Sequence, residues 1–284
     1  MRWVDSECDL PDHDSLGLHY GISVAPRSVI PARGLLYSLY IRRVKGQLRE
    51  RNIPRHVGLI LDGNRRWARL RALESSSHGH QAGADKIHEF LTWCDDLGVE
   101  VVTLYLLSSD NIQGRDNAEL NALSDIIESL ADQLSRFRNW KIQHMGHRED
   151  LPDSLVGQLD AAVARTEKNS GLLVNLAVAY GGRQEITQAV RQMVAKYAKS
   201  GGDLKGLAEH ISVDAIADHL YTGGQPDLDL VIRTSGEQRL SDFMIWQAAH
   251  SEFYFVEALG PDLREVDFLR AIRDFGRRQR RFGH

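Results

Sequence analysis

The chain has 284 residues, 42% hydrophobic and 26% charged, with a formal net charge of −4. That is enough apolar material for a sizeable core, and the slightly acidic balance offers no electrostatic footprint for nucleic acid. Its two cysteines, Cys8 and Cys94, stand far apart and outside any CxxC spacing, which argues against a zinc site or disulfide framework and suits a reducing cytoplasm.

Residues 1–33 carry turn formers and no clean periodicity, and read as an N-terminal extension. The opening residues are acidic and lack the apolar stretch of a secretory signal, and no apolar run approaches the roughly 20 residues that span a bilayer. A soluble, cytoplasmic protein is expected. From Gly34 to Arg51, leucines alternate with Arg33, Arg42, Arg43, Lys45 and Arg49 in the pattern of a basic amphipathic helix. Packing of its leucines on the body, with a solvated basic face, accounts for the pattern. The alternative is peripheral contact with an anionic membrane surface.

Residues 34–284 are expected to form one domain. Apolar runs at 57–61, 99–107, 140–145, 172–179, 228–232 and 253–256 read as strands. Helical periodicity falls at 82–97, 118–137, 152–168, 184–199 and 266–278, with a further helix between the Ser200-Gly201-Gly202 turn and residue 228. Strands alternating with helices predict a single α/β domain with a central, mainly parallel sheet flanked by helices. In such sheets ligands gather at the carboxyl ends of the strands. The polar, glycine-bearing clusters of this chain fall there, after the strands ending near residues 61, 107, 179 and 232.

The first cluster is Asp62-Gly63-Asn64, followed by Arg65, Arg66, Trp67 and Arg69. A strand entering a turn and then a helix presents backbone N–H groups to an anion, and the arginines suit phosphate oxygens. A phosphate beside Asp62 calls for a cation between them, and Mg²⁺ commonly takes a carboxylate plus phosphate oxygens. A tight turn with solvated arginines would use the same residues, and this cluster alone does not separate the two. A second cluster, in which Arg233 and Arg239 flank Ser235 and Gly236 with Ser241 just beyond, makes a second anion site and points to two phosphorylated substrates. No GxxxxGK[ST] or GxGxxG is present, which disfavours P-loop and dinucleotide folds. Asp95-Asp96 is not part of a DDxxD, which closes the route used by trans-type prenyl synthases.

The segment from His56 to Ala68, HVGLILDGNRRWA, resembles the signature of the cis-prenyltransferases, the family of undecaprenyl diphosphate synthase. Gly79-His80-Gln81-Ala82-Gly83 is similar to its GHxxG, and Ser108-Ser109-Asp110-Asn111 to its S-S/T-E-N. Tyr180-Gly181-Gly182-Arg183, the 229–239 block, the 243–255 block with Trp246, Gln247 and Glu252, and the closing Arg281-Phe282-Gly283 follow in family order.

The resemblance implies a hydrophobic product tunnel and Mg²⁺-dependent joining of isopentenyl diphosphate to an allylic diphosphate by a homodimer. It implies Asp62 as metal ligand and catalytic centre, with Asn111 near the reacting carbons. Gly63, Asn64, Arg65, Arg66, Trp67, His80 and Arg115 would hold the allylic diphosphate. Arg233, Arg239 and Ser241 would hold isopentenyl diphosphate, and Glu252 would add a metal contact. Trp93, Trp140 and Trp246 read as core, and His78, His144 and His147 as structural or surface histidines.

Departures from the family pattern bear on the product. Ile112 stands at the usual Trp position and Asp110 at the usual Glu. Gly114 is inserted before Arg115, and Asp242 replaces a common Asn. Long-chain members resemble Tyr-Ala-Phe where this chain has Tyr105-Leu106-Leu107. The larger Leu106 thickens the tunnel wall and predicts a short, C15 product made from geranyl diphosphate. The alternatives are a longer-chain synthase, an irregular lavandulyl-type coupling enzyme and a non-catalytic partner subunit, the last disfavoured by the intact Asp62 cradle.

Overall fold

Six runs rich in aliphatic residues become strands: β1 (His56–Ile60), β2 (Val101–Ser108), β3 (Lys141–Met145), β4 (Leu173–Tyr180), β5 (Leu230–Arg233) and β6 (Glu252–Phe255). In the computed structural model, which describes residues 32–48, 53–114 and 116–278, they form one sheet in the order β3-β4-β2-β1-β5-β6. Every pairing in it is parallel. All five residues of β1 are buried, as a strand covered on both faces requires. The chain divides into two units, Met1–Ser38 and Leu39–His284. Of the first, only residues 32–38 are described, as the opening of a helix; the sheet belongs to the second.

Alternate strand residues feed two cores. Val57, Leu59, Leu230 and Ile232 join a cluster with Phe90, Leu134, Trp140 and Phe268. Ile60 and Val231 join Tyr180, Phe243 and Met244 in another. The period of two therefore separates the faces of the sheet. The larger core is roofed by α3 (Ser76–Asp96), α5 (Asn117–Arg136), α6 (Asp153–Thr166) and α10 (Glu265–Arg277). Short helices α2 (Asn64–Leu70) and α4 (Ser109–Gly114) leave the carboxyl ends of β1 and β2, and α7 (Gly182–Lys199) leaves β4.

The basic N-terminal helix is α1 (Ala32–Gln47). Its Ile41 and Val44 are buried, while Arg42, Arg43 and Lys45 are exposed; Leu39 is exposed too, so the buried contact is made by the β-branched Ile41 and Val44 and not by Leu39. Residues 49–52, the expected end of this helix, lie outside the described residues. Where one helix was expected after residue 202 there are two, α8 (Leu204–His210) and α9 (Val213–Ala217). Ser212 separates them: its hydroxyl accepts from the N–H of Ala215 and starts a new helix. No helix among the described residues is long and apolar enough to cross a membrane. Cys94 is buried and its thiol pKa is pushed well up by that burial; Cys8 is outside the described residues.

Candidate active site

Because β2, β1 and β5 are adjacent and parallel, their carboxyl ends open on one rim. Asp62 emerges there two residues after β1. Gly63 takes the left-handed φ of 94° that the turn demands, and its N–H donates to Asp62 Oδ1 at 2.6 Å. The turn is stitched to the strand end next door: the Asp62 N–H donates to Thr234 Oγ1 at 2.8 Å, and that hydroxyl donates to Asp62 O at 2.7 Å. From above, α3 presses directly on α2. A Cβ on Gly79 would lie 2.1 Å from Asn64 O, so the first glycine of GHxxG permits the contact.

Arg233, the last residue of β5, is 2% exposed. Its Nη2 donates to Asp62 Oδ2 at 2.8 Å, and its Nη1 donates to Ser241 Oγ at 2.9 Å and to Arg239 O. A buried guanidinium is tolerated because a carboxylate and two further oxygens receive its protons. The loop that supplies those oxygens is strained, with positive φ at Ser235, Ser241, Asp242 and Met244.

A cavity of about 640 Å³ opens between these groups. It is lined by the stretch from Asp62 through Arg66 and by His80, Leu106, Asn111, Arg233, Arg239 and Ser241, with Arg69 and Asp110 beside them. The two arginine clusters predicted from distant segments thus face one space. Their counter-charges stand behind them: Glu119 lies 3.8 Å from Arg65 and 3.6 Å from His80, and Glu237 lies 3.6 Å from Arg66 and also pairs with Arg239. Leu106 is half-buried and packs against the larger core. Asn111 sits on α4, its N–H held by Ser108 Oγ at 3.1 Å.

Two predicted residues among those described, Trp67 and Glu252, are not brought into the cavity. Trp67 is on the other side of α2, where its indole N–H donates to Asp262 at 3.0 Å and Arg71 stacks over its ring at 4.2 Å. Glu252 opens β6 opposite Leu230, three residues before Arg233 and so about 10 Å back along the strands; it pairs with Arg278. Arg115 and the closing 281–283 segment lie outside the described residues. Of the tryptophans expected in the core, Trp140 is 1% exposed, while Trp93 and Trp246 are half-buried. His144 is buried on the carbonyl of Val178 and its pKa is lowered by desolvation; His147 lies 3.9 Å from Glu149.

Sequence reasoning missed three participants. Thr234 bonds Asp62 twice. Tyr105 lines the cavity and donates to Ser241 O at 3.0 Å, and burial raises its pKa well above the ordinary phenol value, keeping it a neutral donor. Glu119 is the third. Its spacing from Asp116, whose carboxylate caps α5 by accepting from the Glu119 N–H, reads as helix capping, which conceals the reach of its side chain to the cradle.

No group of three or more His, Cys, Asp or Glu among the described residues could hold a metal by itself. The donor set at the rim is sparse: the partly exposed Asp62, held by Arg233, with Asp110 as the other carboxylate in the cavity lining. That suits Mg²⁺ completed by substrate oxygens, and does not suit an all-protein cage.

The family described as undecaprenyl diphosphate synthase matches residues 60–283. Isoprenyl transferase 1 of Tropheryma whipplei is 52% identical over 253 residues, 88% of this chain and 95% of that protein. The (2Z,6E)-farnesyl diphosphate synthase of Thermobifida fusca is 54% identical over 248 residues, 87% and 97% of the two chains. Among solved structures, lavandulyl diphosphate synthase from Lavandula x intermedia, in complex with dimethylallyl diphosphate, superposes with a TM-score of 0.76 at 33% identity, covering 82% of this chain and 100% of that one. With the parallel sheet, the rim and both arginine clusters in place, this chain belongs to the undecaprenyl diphosphate synthase family of prenyltransferases.

Proposed function

We propose that the chain is a Mg²⁺-dependent cis-prenyltransferase that condenses isopentenyl diphosphate with a short allylic diphosphate, geranyl diphosphate foremost, to give a Z-configured C15 diphosphate. The observation that carries the proposal is the convergence of two arginine clusters on one carboxylate, with Arg233 Nη2 at 2.8 Å from Asp62 Oδ2. Arg65, Arg66 and the Gly63-Asn64 turn hold the allylic diphosphate, with His80 beside them. Arg233, Arg239 and Ser241 hold the diphosphate of isopentenyl diphosphate. Asp62 and substrate oxygens hold Mg²⁺, which offsets the charge that builds on the departing diphosphate. The arginines around the cavity stabilise the same developing charge, more in the transition state than in the ground state. Asn111 faces the reacting carbons from the β2 side. The homoallylic double bond of isopentenyl diphosphate attacks the allylic carbon, the carbon–oxygen bond to the leaving diphosphate breaks, and loss of a proton sets the new double bond.

Support for a short product comes from Leu106, which stands in the cavity wall, and from the name of the Thermobifida relative. We further propose a homodimer, for which β6 offers an open sheet edge with Phe253, Tyr254 and Phe255 half-buried. The test is to incubate purified enzyme with Mg²⁺, labelled isopentenyl diphosphate and dimethylallyl, geranyl or farnesyl diphosphate in turn. Geranyl diphosphate should give a C15 product with one new Z double bond. Chains of about C50 or longer would overturn the short-product assignment. A branched skeleton from two dimethylallyl units, the outcome the lavandulyl neighbour raises, would replace regular by irregular coupling. Absence of turnover with all three primers would overturn the catalytic reading.

A further inference from the structure

We infer that Asp242 is a positioning residue for the isopentenyl diphosphate site: its carboxylate pins the loop after β5 to the start of α7 and thereby fixes the guanidinium of Arg233. The inference rests on the reading of Arg233 and Ser241 as the cradle of that substrate.

Ser241 and Asp242 are consecutive residues in left-handed conformation, with φ of 51° and 62°. Such a pair persists only where its surroundings hold it. Two of the restraints come from α7 through Asp242. The Gly182 N–H donates to Asp242 O at 2.8 Å, and the Arg183 N–H donates to Asp242 Oδ1 at 3.2 Å. Arg183 Nε adds a bond to the same oxygen at 3.3 Å, but its side chain is 75% exposed and that ion pair is screened by solvent. The carboxylate itself is only 17% exposed, so its acceptor role toward the backbone N–H is the part that matters. On the other flank the next residue, Phe243, is fully buried and its ring packs 4.9 Å from that of Tyr105, whose hydroxyl donates to Ser241 O.

Arg233 is fixed by this loop. Its Nη1 has Ser241 Oγ and Arg239 O, both within the pinned segment, and Nη2 has Asp62; its buried Nε has no hydrogen-bond partner among the described residues. If the pinned segment moves, two of the three hydrogen bonds that orient the guanidinium move with it. Asp242 is not itself among the residues that line the cavity. It acts through Ser241.

The test uses Asp242→Gly and Asp242→Asn in the full chain, with initial rates measured while each substrate is varied in turn. Glycine accepts the left-handed backbone without strain but removes the side-chain acceptor; asparagine also tolerates it and keeps an Oδ1. Asp242→Gly should raise KM for isopentenyl diphosphate by about tenfold or more and leave KM for the allylic substrate within about twofold. Asp242→Asn should stay within about threefold of the parent on both. The inference is overturned by an unchanged KM for isopentenyl diphosphate in Asp242→Gly, by equal rises in both KM values, or by Asp242→Asn failing as badly as Asp242→Gly. Arg233→Ala, measured alongside, separates the two levels. If it leaves KM for isopentenyl diphosphate unchanged, the assignment of that cradle fails. If it raises that KM while Asp242→Gly is silent, only the positioning role fails.

Discussion

Asp62 and Arg233 neutralise each other across the rim, so each of the two proposed half-sites includes a group whose charge is balanced by the other. Replacing Asp62 removes the carboxylate proposed to hold the metal and leaves a buried arginine without its anion. Asp62→Ala should lower kcat by about 10³-fold or more, the scale expected when several kcal/mol of charge stabilisation is lost, with the far-UV circular dichroism spectrum unchanged. A mutant that keeps full turnover would remove Asp62 from the chemistry. At Leu106, a half-buried side chain in the cavity wall, truncation opens space that neighbouring packed residues do not refill. Leu106→Ala should shift the product from C15 to longer chains, read by chromatography of the dephosphorylated alcohols; an unchanged length would exonerate Leu106. Single residues were legible where a block of sequence fixed both backbone and chemistry, as at Asp62 and Arg233. Trp67 was not, because the direction of a side chain on a seven-residue helix depends on what packs behind it, here Asp262 and Arg71.

The elements followed their hydrophobic periods closely, and the misses share a cause. Helix α3 begins at Ser76, ahead of the expected residue 82, since Gly79 and Gly83 weaken helical signal in isolation. Tertiary contact reverses the preference: α3 can lie on Asn64 only because Gly79 has no side chain. Helix α4 is too short for a periodic pattern to reveal. Strand β1 carries a consequence for stability. It starts with His56, fully buried, whose ring nitrogens meet Pro226 O at 3.0 Å and Thr103 Oγ1 at 2.8 Å. Desolvation lowers its pKa from 6.5 to about 4. The unfolded chain therefore takes up this proton at a higher pH than the folded one. Its contribution to stability is fully present above pH 6.5 and is lost as the pH falls toward 4. The shift corresponds to roughly 3 kcal/mol, at about 1.4 kcal/mol per pKa unit. Denaturant unfolding between those limits should show His56→Gln with a shallower pH dependence than the parent; parallel curves would refute the assignment.

For the whole molecule, the fold class was readable because βα alternation with apolar strands has few solutions. The strand order was not. That β1 lies between β2 and β5 is decided by pairing over long sequence separations, which no local pattern encodes. The family blocks reported the consequence of that order, two arginine clusters in one site, without showing its cause. The proposed Mg²⁺ dependence also belongs at this scale, since the described residues contain no cage and the metal would need substrate to complete its shell. Treatment with EDTA should abolish turnover, and Mg²⁺ in excess should restore it; full activity in the chelator would sink the metal's role.

The bond between Asp62 and Arg233 spans 171 residues of chain, and the register of β1 on β5 spans a similar distance. Contacts of that range are entropically expensive to close and tend to form late. During synthesis the first half of the anion site exists long before its counterpart has been made, and the β1 edge destined for β5 waits uncovered meanwhile. Catalytic competence is then a property of the finished sheet, so that partly folded or interrupted chains hold arginines and a carboxylate with nothing yet to bring them together.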